Sequence, residues 1–129
     1  MNFVFSEEIK NHKKKGGPVL ALESTILAHG MPYPDNYKFA KTVEKNCRDM
    51  GVAPATIAVL DGHVHVGLSD SELKRICQSK QILKISKRDL SYALAKKQCG
   101  ATTVSATIWV AFKAGISVFS TGGIGGVHR

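Results

Sequence analysis

Several short stretches of this sequence carry side chains whose types and spacing could do chemistry. Glu23 directly follows the apolar run Val19-Leu20-Ala21-Leu22, with Ser24, Thr25, His29 and Gly30 close behind. Ligands of α/β sheets gather beyond the carboxyl ends of strands, so a carboxylate there is placed for acid–base work. The competing reading is a glutamate that caps or pairs within a loop. Lys84 sits inside the short apolar run Ile82–Ile85, with Lys87 and Arg88-Asp89 next. It could clamp a phosphate or remain a solvated lysine. Gly100-Ala101-Thr102-Thr103-Val104-Ser105 opens an apolar helix, where free backbone N–H groups and hydroxyls suit an anion. Simple N-capping by Thr102 is the alternative. His63 and His65, two apart, share one face of a strand and could hold a metal, although no third ligand is in view. From Thr121 to Arg129 the chain has glycines at 122, 123, 125 and 126, a backbone free to approach a phosphate or sugar closely.

The elements that must position these residues alternate between strand and helix. Ser6 caps a first helix to Lys15, with Glu7 and Glu8 in its first turn, and Gly16-Gly17-Pro18 breaks it. Val19–Leu22 reads as a strand covered on both faces. Asp35 caps a helix on which Phe39, Ala40, Val43, Cys47 and Met50 keep helical spacing, closed by Gly51. Ala55–Leu60 is a second strand, Asp61-Gly62 a hairpin turn, and Val64 and Val66 alternate on the return. Ser69 to Glu72 forms a capping box for a helix to about Ser79. A strand over Ile82–Ile85, a helix over Asp89–Lys97, a helix over Thr102–Ala114 and a strand over Ile116–Ser120 complete the pattern. Repeated βα units with one hairpin give an α/β fold, a layered α/β/α domain. Because a glycine loop of this kind normally leads into a further helix, residues 1–129 are expected to be the front portion of one truncated domain.

A length of 129 residues suits one modest core, and 43% hydrophobic with 22% charged residues is ordinary for a globular chain. No apolar run approaches the roughly 18 residues that cross a bilayer. Met1–Lys15 is too short in apolar length for a secretory signal, and Glu7 and Glu8 suit a mitochondrial presequence poorly, so a cytoplasmic location is expected. Cys47, Cys77 and Cys99 are widely spaced and odd in number, which argues for buried thiols over disulfides or a zinc knuckle. The net charge of +8 concentrates at His12–Lys15 and Lys74–Arg88. No RNP aromatic pair or helix-turn-helix accompanies it, which argues against nucleic acid; a solvated face, an acidic small-molecule substrate, or compensation by a missing acidic remainder are the alternatives.

Taken together, Ala21-Leu22-Glu23-Ser24-Thr25-Ile26, His29-Gly30-Met31-Pro32-Tyr33-Pro34, Pro54-Ala55-Thr56-Ile57-Ala58, Val66-Gly67-Leu68, Lys84 with Arg88-Asp89-Leu90, Gly100-Ala101-Thr102-Thr103-Val104 and Thr121 through Arg129 resemble the pseudouridine-5'-phosphate glycosidase family. This family is also called pseudouridylate synthase or indigoidine-synthase-A-like. The resemblance runs from about Pro18 to the end. It implies a lyase-type glycosidase that reversibly splits the C–C bond of pseudouridine 5'-phosphate, a phosphorylated C-nucleoside, into uracil and ribose 5-phosphate. In such enzymes a lysine attacks the sugar's C1' to form a ring-opened imine, a glutamate handles the ring-oxygen proton, and manganese orders the site. The resemblance implies that Glu23 is the acid–base residue, that Lys84 and Val104 bind substrate with Thr103 beside them, and that His128 is a weaker catalytic candidate. It gives His63 and His65 no role. The family's nucleophilic lysine and metal-binding aspartates match no residue of this chain, so residues 1–129 alone are expected to be inactive and to hold no metal. Family members assemble as homotrimers, which is the expected state of a full-length protein. The alternatives are a non-catalytic phosphate-ligand-binding or oligomerising piece and, third, a basic RNA-binding module.

Overall fold

The computed structural model describes residues 2–125. The elements run β1 (Phe3–Phe5), α1 (Glu7–Lys14), β2 (Val19–Leu22), a π-helical turn (Ile26–Gly30), α2 (Asp35–Asp49), β3 (Ala53–Leu60), β4 (His63–Val66), α3 (Asp70–Gln78), β5 (Leu83–Ile85), a 3-10 turn (Lys87–Asp89), α4 (Leu90–Ala95), β6 (Gly100–Thr102), α5 (Val104–Lys113) and β7 (Phe119–Ser120). One sheet carries the order β1-β4-β3-β2-β7, with β6 also on β3 and β5 on β6. Helices cover both faces, as the apolar spacing predicts. Ala53, Ala55, Ile57 and Val59 of β3 pack with Ile9 of α1, Leu90 and Ala93 of α4 and Val110 and Ala111 of α5. Ala58 and Leu60 face the other way, onto Ala40 of α2 and Leu73, Ile76 and Cys77 of α3. The period-two alternation of β3 thus divides the core into two, and every residue of that strand is buried. The α/β/α layering stands.

The central feature for function is how β3 is paired along one edge. Its first half, Ala53–Thr56, pairs in parallel with Val19–Leu22 of β2. Its second half pairs antiparallel with β6, Ala58 opposite Ala101 and Val59 opposite Gly100. β4 occupies the opposite edge, Ile57 opposite Val66 through Leu60 opposite His63. β2 and β6 therefore run toward each other along the same edge, and their carboxyl ends meet beside Ile57. Side-chain hydroxyls close this junction. Ser24 Oγ donates to the Ile57 carbonyl (2.6 Å) and accepts from Thr102 N (2.8 Å), and Thr102 Oγ1 donates to the same carbonyl (2.8 Å). Thr107 Oγ1 of α5 donates to Thr102 Oγ1 at 2.9 Å. Ser24, Thr102 and Thr107 are fully buried, so these bonds replace water that cannot reach the gap. β5 runs parallel to β6, Lys84 opposite Ala101, which brings a third carboxyl end to the same place. A Cβ at Gly100 would overlap the Ile85 side chain, so that close approach needs a glycine.

Several expectations are corrected. Gly100–Thr102 is a strand and not the opening of a helix; α5 starts at Val104, and Thr102 spends its hydroxyl on Ile57 instead of capping. α2 begins at Asp35 itself with Pro34 at its cap position, and no side chain caps it. The helix expected from Asp89 is a 3-10 turn followed by Leu90–Ala95, and the last strand shrinks to Phe119–Ser120, since β7 pairs with β2 only at Ala21 and Leu22. Phe3–Phe5, read as part of no element, pairs in parallel with Val64–Val66. The hairpin stands: Asp61 and Gly62 both take positive φ (50° and 79°), as a two-residue turn requires. The capping box of α3 is complete, Ser69 Oγ accepting from Glu72 N while Glu72 Oε1 accepts from Ser69 N. No described helix is long and apolar enough to cross a membrane.

Candidate active site

Convergence of three strand ends builds a cavity of about 700 Å³. Glu23 and Thr25 enter it from the end of β2, Lys84 and Arg88 from β5 and the turn after it, and Thr103 and Val104 from the start of α5. Gly123 and Gly125 of the terminal loop close one side. Four residues singled out in the sequence (Glu23, Lys84, Thr103 and Val104) thus border one space, although up to 81 positions separate them along the chain. His128 lies outside the described residues.

Glu23 is half-buried, and Thr121 Oγ1 donates to its Oε1 at 2.5 Å. That hydroxyl stands just past β7, and β7 lies beside β2, so the sheet register fixes the pair. The bond holds one carboxylate oxygen and leaves the other for a ligand. Thr103 is the N-cap position of α5, yet its side chain makes no capping bond; its hydroxyl pairs with that of Ser105 at 3.2 Å. The first backbone N–H groups of α5 thus receive no bond from the Thr103 side chain and lie at the positive end of the helix dipole, on residues that border the cavity. Lys84 and Arg88 are exposed cations on the same margin, and Arg88 pairs with Asp89 at 3.7 Å. Asp89 is held elsewhere, accepting from Ser86 N and Oγ, which keeps its carboxyl below the usual range. The arrangement presents a carboxylate at one end and two cations with a helix start at the other. It can bind an anionic group while a proton is handled some distance away.

A second cavity of about 300 Å³ shares Glu23 and is mostly apolar, bordered by Leu22, Ile26 and Phe39 among others. Its polar wall is Glu44 of α2, which accepts from Thr56 Oγ1 (2.8 Å) and Arg48 Nη2 (3.1 Å). Burial pushes the Glu44 carboxyl above its ordinary value of 4.5, against the pull of Thr56 and Arg48. Sequence reasoning missed Glu44, and helical spacing held the signal: it lies four residues from Ala40 on the inward stripe.

His63 and His65 share one face of β4 as expected, but each has its own partner. His63 Nδ1 meets the Asp61 carbonyl at 3.1 Å, and His65 Nδ1 meets Glu72 Oε2 at 3.1 Å. Burial lowers the His65 pKa, with Glu72 opposing. Among the described residues no three His, Cys, Asp or Glu side chains gather into a group that could hold a metal ion. Manganese, which the resemblance implies, therefore has no such three-residue donor group among these residues. Cys47 and Cys77 are buried, whereas Cys99 is half-exposed beside Arg75 and Asp61.

Comparison with known proteins agrees with this architecture. The pseudouridine-5'-phosphate glycosidase of Mycoplasmopsis agalactiae is 54% identical over 129 residues, covering all of this chain and 43% of the relative. That of Lysinibacillus sphaericus is 56% identical over 126 residues, 98% of this chain and 41% of the relative. The chain spans about two fifths of the length of the curated relatives it matches. Among solved structures, the prealnumycin C-glycosynthase AlnA in complex with ribulose 5-phosphate superposes with a TM-score of 0.85 at 43% identity, covering 100% of this chain and 42% of that one. An indigoidine synthase A-like protein from Thermotoga maritima gives 0.84 at 31% identity, covering 98% and 42%. The family model for indigoidine synthase A like protein matches residues 8–129, and the chain belongs to that family.

Proposed function

We propose that this chain supplies part of the active site of a pseudouridine-5'-phosphate glycosidase, which reversibly cleaves the C–C bond between uracil and ribose 5-phosphate. The observation that carries the reading is the single cavity bordered by Glu23, Lys84 and the start of α5. Relatives named for this activity at 54% and 56% identity support it. Lys84 and Arg88 take the phosphate, and the backbone N–H groups at the start of α5, from Val104 on, add neutral donors to its oxygens. Glu23, steadied by Thr121, passes a proton to the sugar ring oxygen as the ring opens. A carbon leaving group departs poorly, so the reaction needs the ring-opened imine, and its amine comes from a lysine that matches no position here.

The test replaces the matching segment of the Mycoplasmopsis agalactiae relative with residues 1–129 and compares that chimera with its Glu23→Gln variant. Turnover of pseudouridine 5'-phosphate should fall by about 10²–10⁴-fold, the usual contribution of a positioned proton donor, while ligand affinity changes little. A near-normal rate in the variant would sink the assignment of Glu23.

A further inference from the structure

Thr25 Oγ1 is buried, yet it has no hydrogen-bond partner among the described residues. Its neighbours behave differently: Ser24, Thr102 and Thr107 all place their hydroxyls in bonds within the junction. Packing here pairs hydroxyls efficiently, so an unpaired one is costly and needs a reason. Capping does not supply it, because Thr25 precedes the π-helical turn without making a capping bond. The other buried side-chain atom without a partner among the described residues, Gln98 Oε1, belongs to a residue that borders neither cavity at the strand ends. Thr25, by contrast, borders the larger one together with Glu23.

We propose that the Thr25 hydroxyl is a substrate contact that hydrogen-bonds a sugar hydroxyl of the bound phosphosugar and thereby selects for it. This inference rests on the glycosidase reading above. The sheet orders the contacts along the ligand: β2 and β6 share an edge of β3, and β5 lies beyond β6. A ligand whose phosphate meets Lys84 and Arg88 at the β5 end therefore presents its sugar to Glu23 and Thr25 at the β2 end. A threonine hydroxyl donates and accepts at once, which matches another hydroxyl and adds no charge beside the carboxylate. A buried polar group that finds its partner only in the ligand discriminates strongly against ligands lacking that partner.

The experiment titrates wild type, Thr25→Val and Thr25→Ser calorimetrically with ribose 5-phosphate and with inorganic phosphate, and records each ligand-free melting temperature. Valine keeps the shape and removes the hydroxyl. Ribose 5-phosphate affinity should drop on the order of tenfold or more in Thr25→Val and stay within about threefold in Thr25→Ser. Phosphate affinity should not move, and the ligand-free valine variant should melt at or above wild type, since it loses an unpaired buried hydroxyl. Unchanged ribose 5-phosphate affinity in Thr25→Val overturns the inference alone. So does equal weakening by serine, or a valine variant that unfolds or melts lower, because the hydroxyl then serves the fold. A wild type that binds phosphate but not ribose 5-phosphate, or neither, overturns the phosphosugar reading and this inference with it.

Discussion

Glu23 and Lys84 divide the work of the cavity because their surroundings differ. Glu23 is half-buried and tied to Thr121, which orients it, whereas Lys84 is exposed beside Arg88 and free to follow a phosphate. Replacing Lys84 with alanine should weaken ribose 5-phosphate much more than uracil. A charged hydrogen bond contributes about 1.5–3 kcal/mol, so roughly ten- to a hundredfold in affinity is at stake. Titration with both ligands decides it, and an unchanged dissociation constant for ribose 5-phosphate refutes the role. Both residues were legible in the sequence for one reason: each stands in or just after a short apolar run, where an α/β sheet exposes strand ends. Thr121 and Glu44 were not singled out for chemistry. A threonine before glycines carries no chemical signal until the strand next to β7 is known. A glutamate on an amphipathic helix looks solvated until its partners, Thr56 and Arg48, are seen.

Strand convergence, more than any one side chain, creates the site. β2 and β6 meet end to end on β3, and Ser24 bridges the gap by donating to Ile57 O and accepting from Thr102 N. Ser24→Ala should leave the Thr102 N–H buried without a partner, while Thr102 Oγ1 still serves the Ile57 carbonyl. Leaving one such donor unsatisfied costs about 1–3 kcal/mol, to be read from urea unfolding of variant and wild type. An unchanged midpoint would mean that the β3 ladders alone hold the junction. Long elements were readable because they carry a period: eight residues of β3, fifteen of α2 and the capping box of α3. β1 and β6, at three residues each, carry none. Their strand character comes from pairing with β4 and β3, a tertiary choice that local propensity does not reveal. The head-to-head arrangement was likewise hidden, since register is set by partners distant in sequence.

Across the whole molecule, the excess of positive charge and the inventory of reactive groups point the same way. Part of the Lys74–Arg88 cluster is neutralised locally: Arg75 forks onto Asp61 at 2.8 and 2.7 Å and holds that carboxyl down to about 2. Lys84 and Arg88, the latter only loosely paired with Asp89 at 3.7 Å, stand exposed at the cavity margin, where an anionic ligand would meet them. Two of the basic residues behind the net charge of +8 thus stand where an anionic ligand in this cavity would meet them. Among the described residues, no second lysine borders the cavity to serve as the amine of an imine. Lys84 is proposed above to take the phosphate, while Lys113 lies over the Trp109 and Phe112 rings of α5 and Lys96 over Tyr92. Imine formation needs an amine held within attack distance of C1', and net charge elsewhere does not substitute for that proximity. Residues 1–129 by themselves should therefore bind ribose 5-phosphate but not release uracil from pseudouridine 5'-phosphate. The check incubates the purified chain with substrate, with and without manganese, following uracil release and borohydride trapping. The chimera with the Mycoplasmopsis agalactiae relative serves as the active reference. Turnover together with a trapped lysine inside residues 1–129 would move the nucleophile into this chain and overturn the division of roles argued for Lys84.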